Sequence, residues 1–98
     1  MPVPRELIGL AIARLKAGQV SCEKPQQEFG GLGEGIPCAI CGAAISAREM
    51  EIEAVYPKLG ERHFHVACMN ALRTVCNDLA DTGHATGRPG GPFGPIAQ

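Results

Sequence analysis

Cys38-Ala-Ile-Cys41-Gly42 and, with twenty-three residues between Cys41 and His65, His65-Val-Ala-Cys68 constrain this chain more than any other stretch of it. Each pair leaves two residues between its potential ligands, and the intervening segment is long enough for a hairpin. Thiolates and an imidazole are the ligands Zn²⁺ prefers, and four of them close a tetrahedral structural site. Three thiolates and one neutral imidazole leave a complex with a net charge of about −1, which calls for N–H donors around the sulfurs. A Cys-x-x-Cys-Gly turn curls such donors back onto the first thiolate, with Gly42 taking a left-handed backbone. His65 and Cys68 fall where a helix is expected to begin, so free N–H groups and the positive dipole end also face the ion. A redox Cys-x-x-Cys wants a strand before it and a helix after it. Here a Gly/Pro-containing loop precedes the motif and a short strand follows, so the pattern predicts one structural Zn²⁺ held by Cys38, Cys41, His65 and Cys68. His63 competes with His65 for the imidazole position. His65 is preferred because its gap to Cys68 repeats the gap of the first pair.

The rest of the chain suits a domain that needs a metal. Its 98 residues allow one domain at most. Hydrophobic residues make up 45% but aromatic ones only 4%, so much of the apolar count is alanine, which buries little area. Cores of that kind are marginal on their own, and a bound ion is a common remedy. A formal net charge of −1 argues against a strongly electrostatic nucleic-acid binder. No stretch reaches the ~20 apolar residues of a membrane span, and Arg5, Glu6, Arg14 and Lys16 make the N-terminal segment a poor secretory signal. Five cysteines without an obvious disulfide framework point to a reducing cytoplasm.

Periodicity places the elements. Leu7, Ile8, Ala11, Ile12 and Leu15 form one stripe of a helix over residues 4–17, within an N-terminal amphipathic region of residues 1–18. Residues 19–36 read as a Gly/Pro-containing linker in which Cys22 is a free thiol. Its Gly30-to-Gly35 run lacks the strand, the Gly-Lys-Ser/Thr ending and the helix of a phosphate cradle. It serves instead to let the backbone pass close to the cysteine knuckle. Residues 37–81 are the zinc-binding domain. Ala43 to Ile45 is a short strand and Ser46 to Glu49 a turn. Met50 to Tyr56 alternates as a strand with Glu51 and Glu53 on a solvated face, and Glu61 to Phe64 returns. His65 to about Leu79 is the second helix, with Cys68, Leu72, Val75, Cys76 and Leu79 on its stripe, Cys76 being core. The expected core is Ile45, Ile52, Phe64, Leu72, Val75 and Leu79. Gly/Pro-rich residues 82–98 read as a disordered tail.

A Cys-x-x-Cys, a hairpin-length spacer and a His-x-x-Cys at a helix start resemble the treble-clef zinc fold group, and in particular one zinc site of a LIM domain. A LIM domain carries a second site directly after the first, and this chain has no ligands for it. Residues 30–80 also resemble small uncharacterised bacterial zinc proteins. The resemblance implies an α+β fold: a treble-clef-like module of zinc knuckle, β-hairpin and C-terminal helix, joined to the N-terminal helix. Four protein ligands close the ion to substrate, so no enzyme is expected. The expected role is a structural zinc protein acting as a protein-interaction or adaptor module for an unidentified protein partner. The alternatives are a nucleic-acid-binding zinc-finger regulator using Lys58, Arg62 and Arg73, and, more remotely, a metal-dependent nuclease.

Overall fold

Helix α1 starts where Pro4 can go no further back into a helical ladder. Its carbonyl accepts from the N–H groups of Leu7 and Ile8 at 3.1 and 3.2 Å, and α1 spans Arg5–Lys16. At the other end Gly18 N–H reaches the Leu15 carbonyl and Gln19 N–H reaches that of Arg14. This is the Schellman pattern, and it satisfies carbonyls the last turn would leave free. Most of the stripe read from the sequence faces inward: Ala11 is fully buried, and Leu7, Ile8 and Leu15 pack against the core, while Ile12 is exposed. The computed structural model describes residues 3–87, with side chains through residue 80.

Three strands follow, β1 over Gln27–Leu32, β2 over Met50–Tyr56 and β3 over Gly60–His65. They form one antiparallel sheet in the order β1-β2-β3. Helix α2, Val66–Gly87, begins directly after β3. It packs on β2 and β3, and α1 packs on α2. The register, with Ile52 opposite both Gly30 and Phe64, sorts the side chains by alternation. Ala54, Tyr56 and Phe64 share the face turned to α2 and are buried with Met69, Ala71, Leu72 and Val75. Phe29, Glu51, Glu53, Glu61 and His63 share the opposite face.

Several expectations need correction. The linker expected over 19–36 contains β1. Gly30, Gly31 and side chains exposed at five of six positions gave it no apolar pattern; it is a strand because β2 offers it a ladder of hydrogen bonds. Helix α2 runs on to Gly87, into the tail expected over 82–98, of which residues 88–98 lie outside the described residues. His65 closes β3 instead of opening the helix. In the expected core Ile45, Phe64, Leu72 and Val75 are buried, but Ile52 is only half-buried and Leu79 is 58% exposed. Ile40, Tyr56 and Met69 take up the space. Cys22 is not a free thiol: it forms a disulfide with Cys76, Cα atoms 5.4 Å apart. The five cysteines therefore divide into a disulfide pair and three free thiols, and their number no longer argues for a reducing compartment. Among the described residues no helix is long and apolar enough to cross a membrane.

Candidate metal centre

The first cysteine pair sits in a tight knuckle. Pro37 and Ala44 bridge across its base, Cys38 N–H donates to the Ala43 carbonyl at 2.9 Å, and Gly42 N–H to the Cys38 carbonyl at 3.0 Å. Closing so short a loop requires a left-handed residue, and Gly42 has φ of 81°. Two further bonds fix the knuckle in place. Ala39 N–H donates to the His63 carbonyl at 2.8 Å, and Arg14 of α1 donates through Nε to the Ile40 carbonyl at 3.0 Å. Arg14 thus joins the N-terminal helix to the site, a role its place in the helical pattern did not reveal.

The preceding Gly-rich loop passes close not to the knuckle itself but to the Ile45–Glu49 segment just after it. Gly33 N–H bonds the Glu49 carbonyl at 2.9 Å. A Cβ at Gly33 would stand 2.3 Å from the Ser46 carbonyl oxygen and 2.4 Å from that of Ile45. Only glycine fits there.

The second pair arrives from the end of β3 and the first turn of α2. Potential ligand atoms of Cys38, Cys41, His65 and Cys68 all lie within 4.8 Å of one another. His65 Nδ1 is 3.4 Å from Cys41 Sγ and 4.0 Å from Cys68 Sγ. An ion bound tetrahedrally at about 2.3 Å from sulfur and 2.0 Å from nitrogen needs ligand atoms roughly 3.5–3.8 Å apart, so the group fits such an ion with small adjustments. His63 stands apart: its Nδ1 faces Glu51 Oε1 at 3.3 Å and its Nε2 faces Glu61 Oε2 at 3.7 Å.

Backbone donors prepare the sulfurs for negative charge. Ile40 N–H points at Cys38 Sγ at 3.4 Å and His65 N–H at 3.5 Å. Burial alone would raise the Cys38 thiol, but donation from Cys41, His65 and Ile40 outweighs it and brings the pKa down to about 7. Cys68 goes the other way, pushed far up by burial and then by the neighbouring Cys38 and Cys41 sulfurs. Without an ion three adjacent thiolates repel one another, so the site keeps a proton that a cation would displace.

Glu49 is the residue that motif spacing missed. Ser46 N–H donates to its Oε1 at 2.9 Å, and Glu49 N–H returns to the Ser46 carbonyl at 3.0 Å. The same Oε1 lies 3.4 Å from His65 Nε2. A carboxylate on the outer nitrogen fixes the ring and leaves Nδ1 to the ion, the usual support of a metal-bound histidine. The Ser46–Glu49 bond and the His65 imidazole also hold the Glu49 carboxyl below its ordinary range, against the weaker effect of burial. Ser46-x-x-Glu49 is a local trace of this turn, but nothing in the spacing linked it to His65.

Glu51 also departs from expectation. It is 6% exposed, not solvated. Glu53, on the same face, has its carboxyl raised by a hydrogen bond to Glu61, by burial and by the charge of Glu61. Of the cations thought to make a basic patch, Arg62 is spent on the carbonyls of Gln19, Leu59 and Glu61, and Arg73 pairs with Glu28. No family model, curated protein or solved structure matches the chain.

Proposed function

We propose that this is a structural zinc protein with a treble-clef-like, single-site module, and that it works as a protein-interaction or adaptor domain. The observation that carries the reading is the convergence of Cys38, Cys41, His65 and Cys68 at the one place where the knuckle, β3 and α2 meet. Three sulfurs and one imbedded imidazole nitrogen select a borderline-soft ion and leave it no position for substrate. That argues for a scaffold rather than a nuclease or another metalloenzyme.

The interaction role rests on what the scaffold leaves uncovered. Leu32 and Met50, paired across β1 and β2, are 62% and 53% exposed, and Phe29, on the other face of β1, is 52% exposed; among the described residues β1 pairs only with β2, leaving its other edge open. Exposed apolar side chains beside an open strand edge are a common docking surface. A nucleic-acid role is less favoured, because Arg62 and Arg73 are engaged within the chain. The test is capture of partners by the zinc-loaded protein, by chelated protein and by a Phe29→Ser/Leu32→Ser variant. A partner retained by the first alone supports the adaptor reading. Equal retention by all three, or retention of nucleic acid in place of protein, overturns it.

A further inference from the structure

Two residues before His65, β3 carries a second histidine in surroundings of opposite chemistry. One potential ligand atom from each of Glu51, Glu53 and His63 lies within 4.8 Å of the others. Glu61 adds a fourth group, its Oε2 3.7 Å from His63 Nε2. These residues face one another because the register sets Glu53 opposite His63, with Glu51 and Glu61 one alternation away on either side.

This differs from an ordinary acidic surface in its depth and its partners. The side chains of Glu51 and His63 are 7% and 12% exposed. A buried carboxylate normally gathers backbone N–H groups or a Lys or Arg, yet His63 is the sole hydrogen-bond partner of the Glu51 carboxylate among the described residues. Among those residues no Lys or Arg lies within ion-pair distance of Glu51, Glu53 or Glu61. One imidazole facing three carboxylates leaves the cluster short of positive charge whichever way its proton is placed. Glu61, 55% exposed, opens the group to solvent, so an ion could enter and keep water ligands.

We infer that Glu51, Glu53 and His63, with Glu61 at the open side, form a second cation site, distinct from the cysteine site, for a divalent ion of the Mn²⁺ class. Carboxylates suit hard ions, and a single imidazole shifts the preference toward the first transition row. The missing thiolates narrow the advantage that Zn²⁺ has at the cysteine group. The ion binds β2 to β3 across the face away from α2 and retains exchangeable water positions. The site does not depend on the zinc reading, since the two sets share no ligand.

Manganese is the probe, because free aqueous Mn²⁺ has a strong paramagnetic resonance signal that is lost on binding and because it competes poorly for thiolates. The full-length protein as purified is titrated with Mn²⁺ up to about 1 mM, the weak end of carboxylate-built cation sites, while its zinc content is measured in parallel. One Mn²⁺ per chain is expected, with zinc content unchanged. Glu53→Gln and His63→Gln should each lower the affinity at least tenfold, while Glu6→Gln on α1 should leave it as it was. Unchanged amide dispersion in both cluster variants shows that lost binding is not lost fold. No bound Mn²⁺ at the top of the titration, binding that survives both cluster variants, or Mn²⁺ uptake matched by zinc release would each overturn the site.

Discussion

His63 and His65 stand two residues apart on the same face of β3, yet one meets carboxylates and the other sulfurs. The strand supplies both imidazoles in the same way; what differs is the backbone brought against them. At His65 the knuckle and the start of α2 deliver three cysteines and a cluster of N–H donors. At His63 the sheet itself delivers Glu51, Glu53 and Glu61. Regular pairing yields a site whose candidate ligands all sit on strands and, His63 apart, offer oxygen. Irregular backbone yields one that also donates hydrogen bonds to its ligands. A ligand's identity therefore says less about its chemistry than the element packed against it.

The contrast can be broken most severely at the sulfurs. Cys68→Ser should leave no stoichiometric zinc and collapse amide dispersion over the knuckle, the hairpin and the first turns of α2, because structural zinc contributes on the order of 10 kcal/mol to such folds. Metal analysis alongside an amide correlation spectrum checks this. A variant that kept one equivalent of zinc and its dispersion would show that Cys68 is not a ligand.

Next in size is the coupling to protons. Cys38, with a pKa of about 7, is about half protonated at pH 7, and Cys68 is fully protonated. Zinc should then displace at least about 1.5 protons on binding at pH 7 from these two groups alone. Since the ion competes with protons, affinity falls as pH falls through 7 and rises above it. Calorimetric titration in buffers of different ionisation enthalpy measures the number. A release near zero would mean that the thiols are already ionised and that the site differs from the one described.

Smaller effects separate the supports of the two histidines. Glu49→Ala should weaken zinc binding by about 10–100-fold, the usual cost of removing a carboxylate behind a metal-bound histidine, with no effect on a Mn²⁺ titration. Competition with a chromophoric chelator reads it. His63→Gln should do the reverse. Zinc affinity should hold within about twofold, and denaturant unfolding should report a loss of about 1–3 kcal/mol from leaving buried Glu51 poorly paired. If His63→Gln released zinc and His65→Ala did not, the ligand assignment would be inverted.

Sequence reading reached the knuckle, the hairpin and the two helices because each leaves a periodic or spaced trace. The Cys-x-x-Cys-Gly pattern carries its own turn chemistry at Gly42. Met50 to Tyr56 alternates as a strand should, and α1 and α2 repeat at helical spacing. What it missed depends on distant partners. β1 is a strand only by virtue of β2. Glu51 looked solvated because alternation puts it on the strand face away from α2, yet it is 6% exposed and faces His63. Cys22 was isolated in sequence by fifty-four positions from the Cys76 it bonds, and no local rule could pair them. Glu49 and Arg14 bind the centre from sixteen and twenty-six residues away through single hydrogen bonds.

The Cys22–Cys76 bond has a consequence for how the centre assembles. All four candidate ligands, and every strand among the described residues, lie inside the covalent ring it closes. A ring of this size removes about 4 kcal/mol of chain entropy from the unfolded state on the loop-closure model. Gathering Cys38 and Cys68 onto one ion closes a smaller ring nested within the first. In an open chain the two pairs of ligands search for each other through the full freedom of the segment between them and of both flanks. Once the outer ring is shut, the flanks are tethered and the local concentration of one pair about the other rises. Oxidised protein should therefore capture zinc at lower free concentration than reduced protein, although neither cysteine of the disulfide touches the ion.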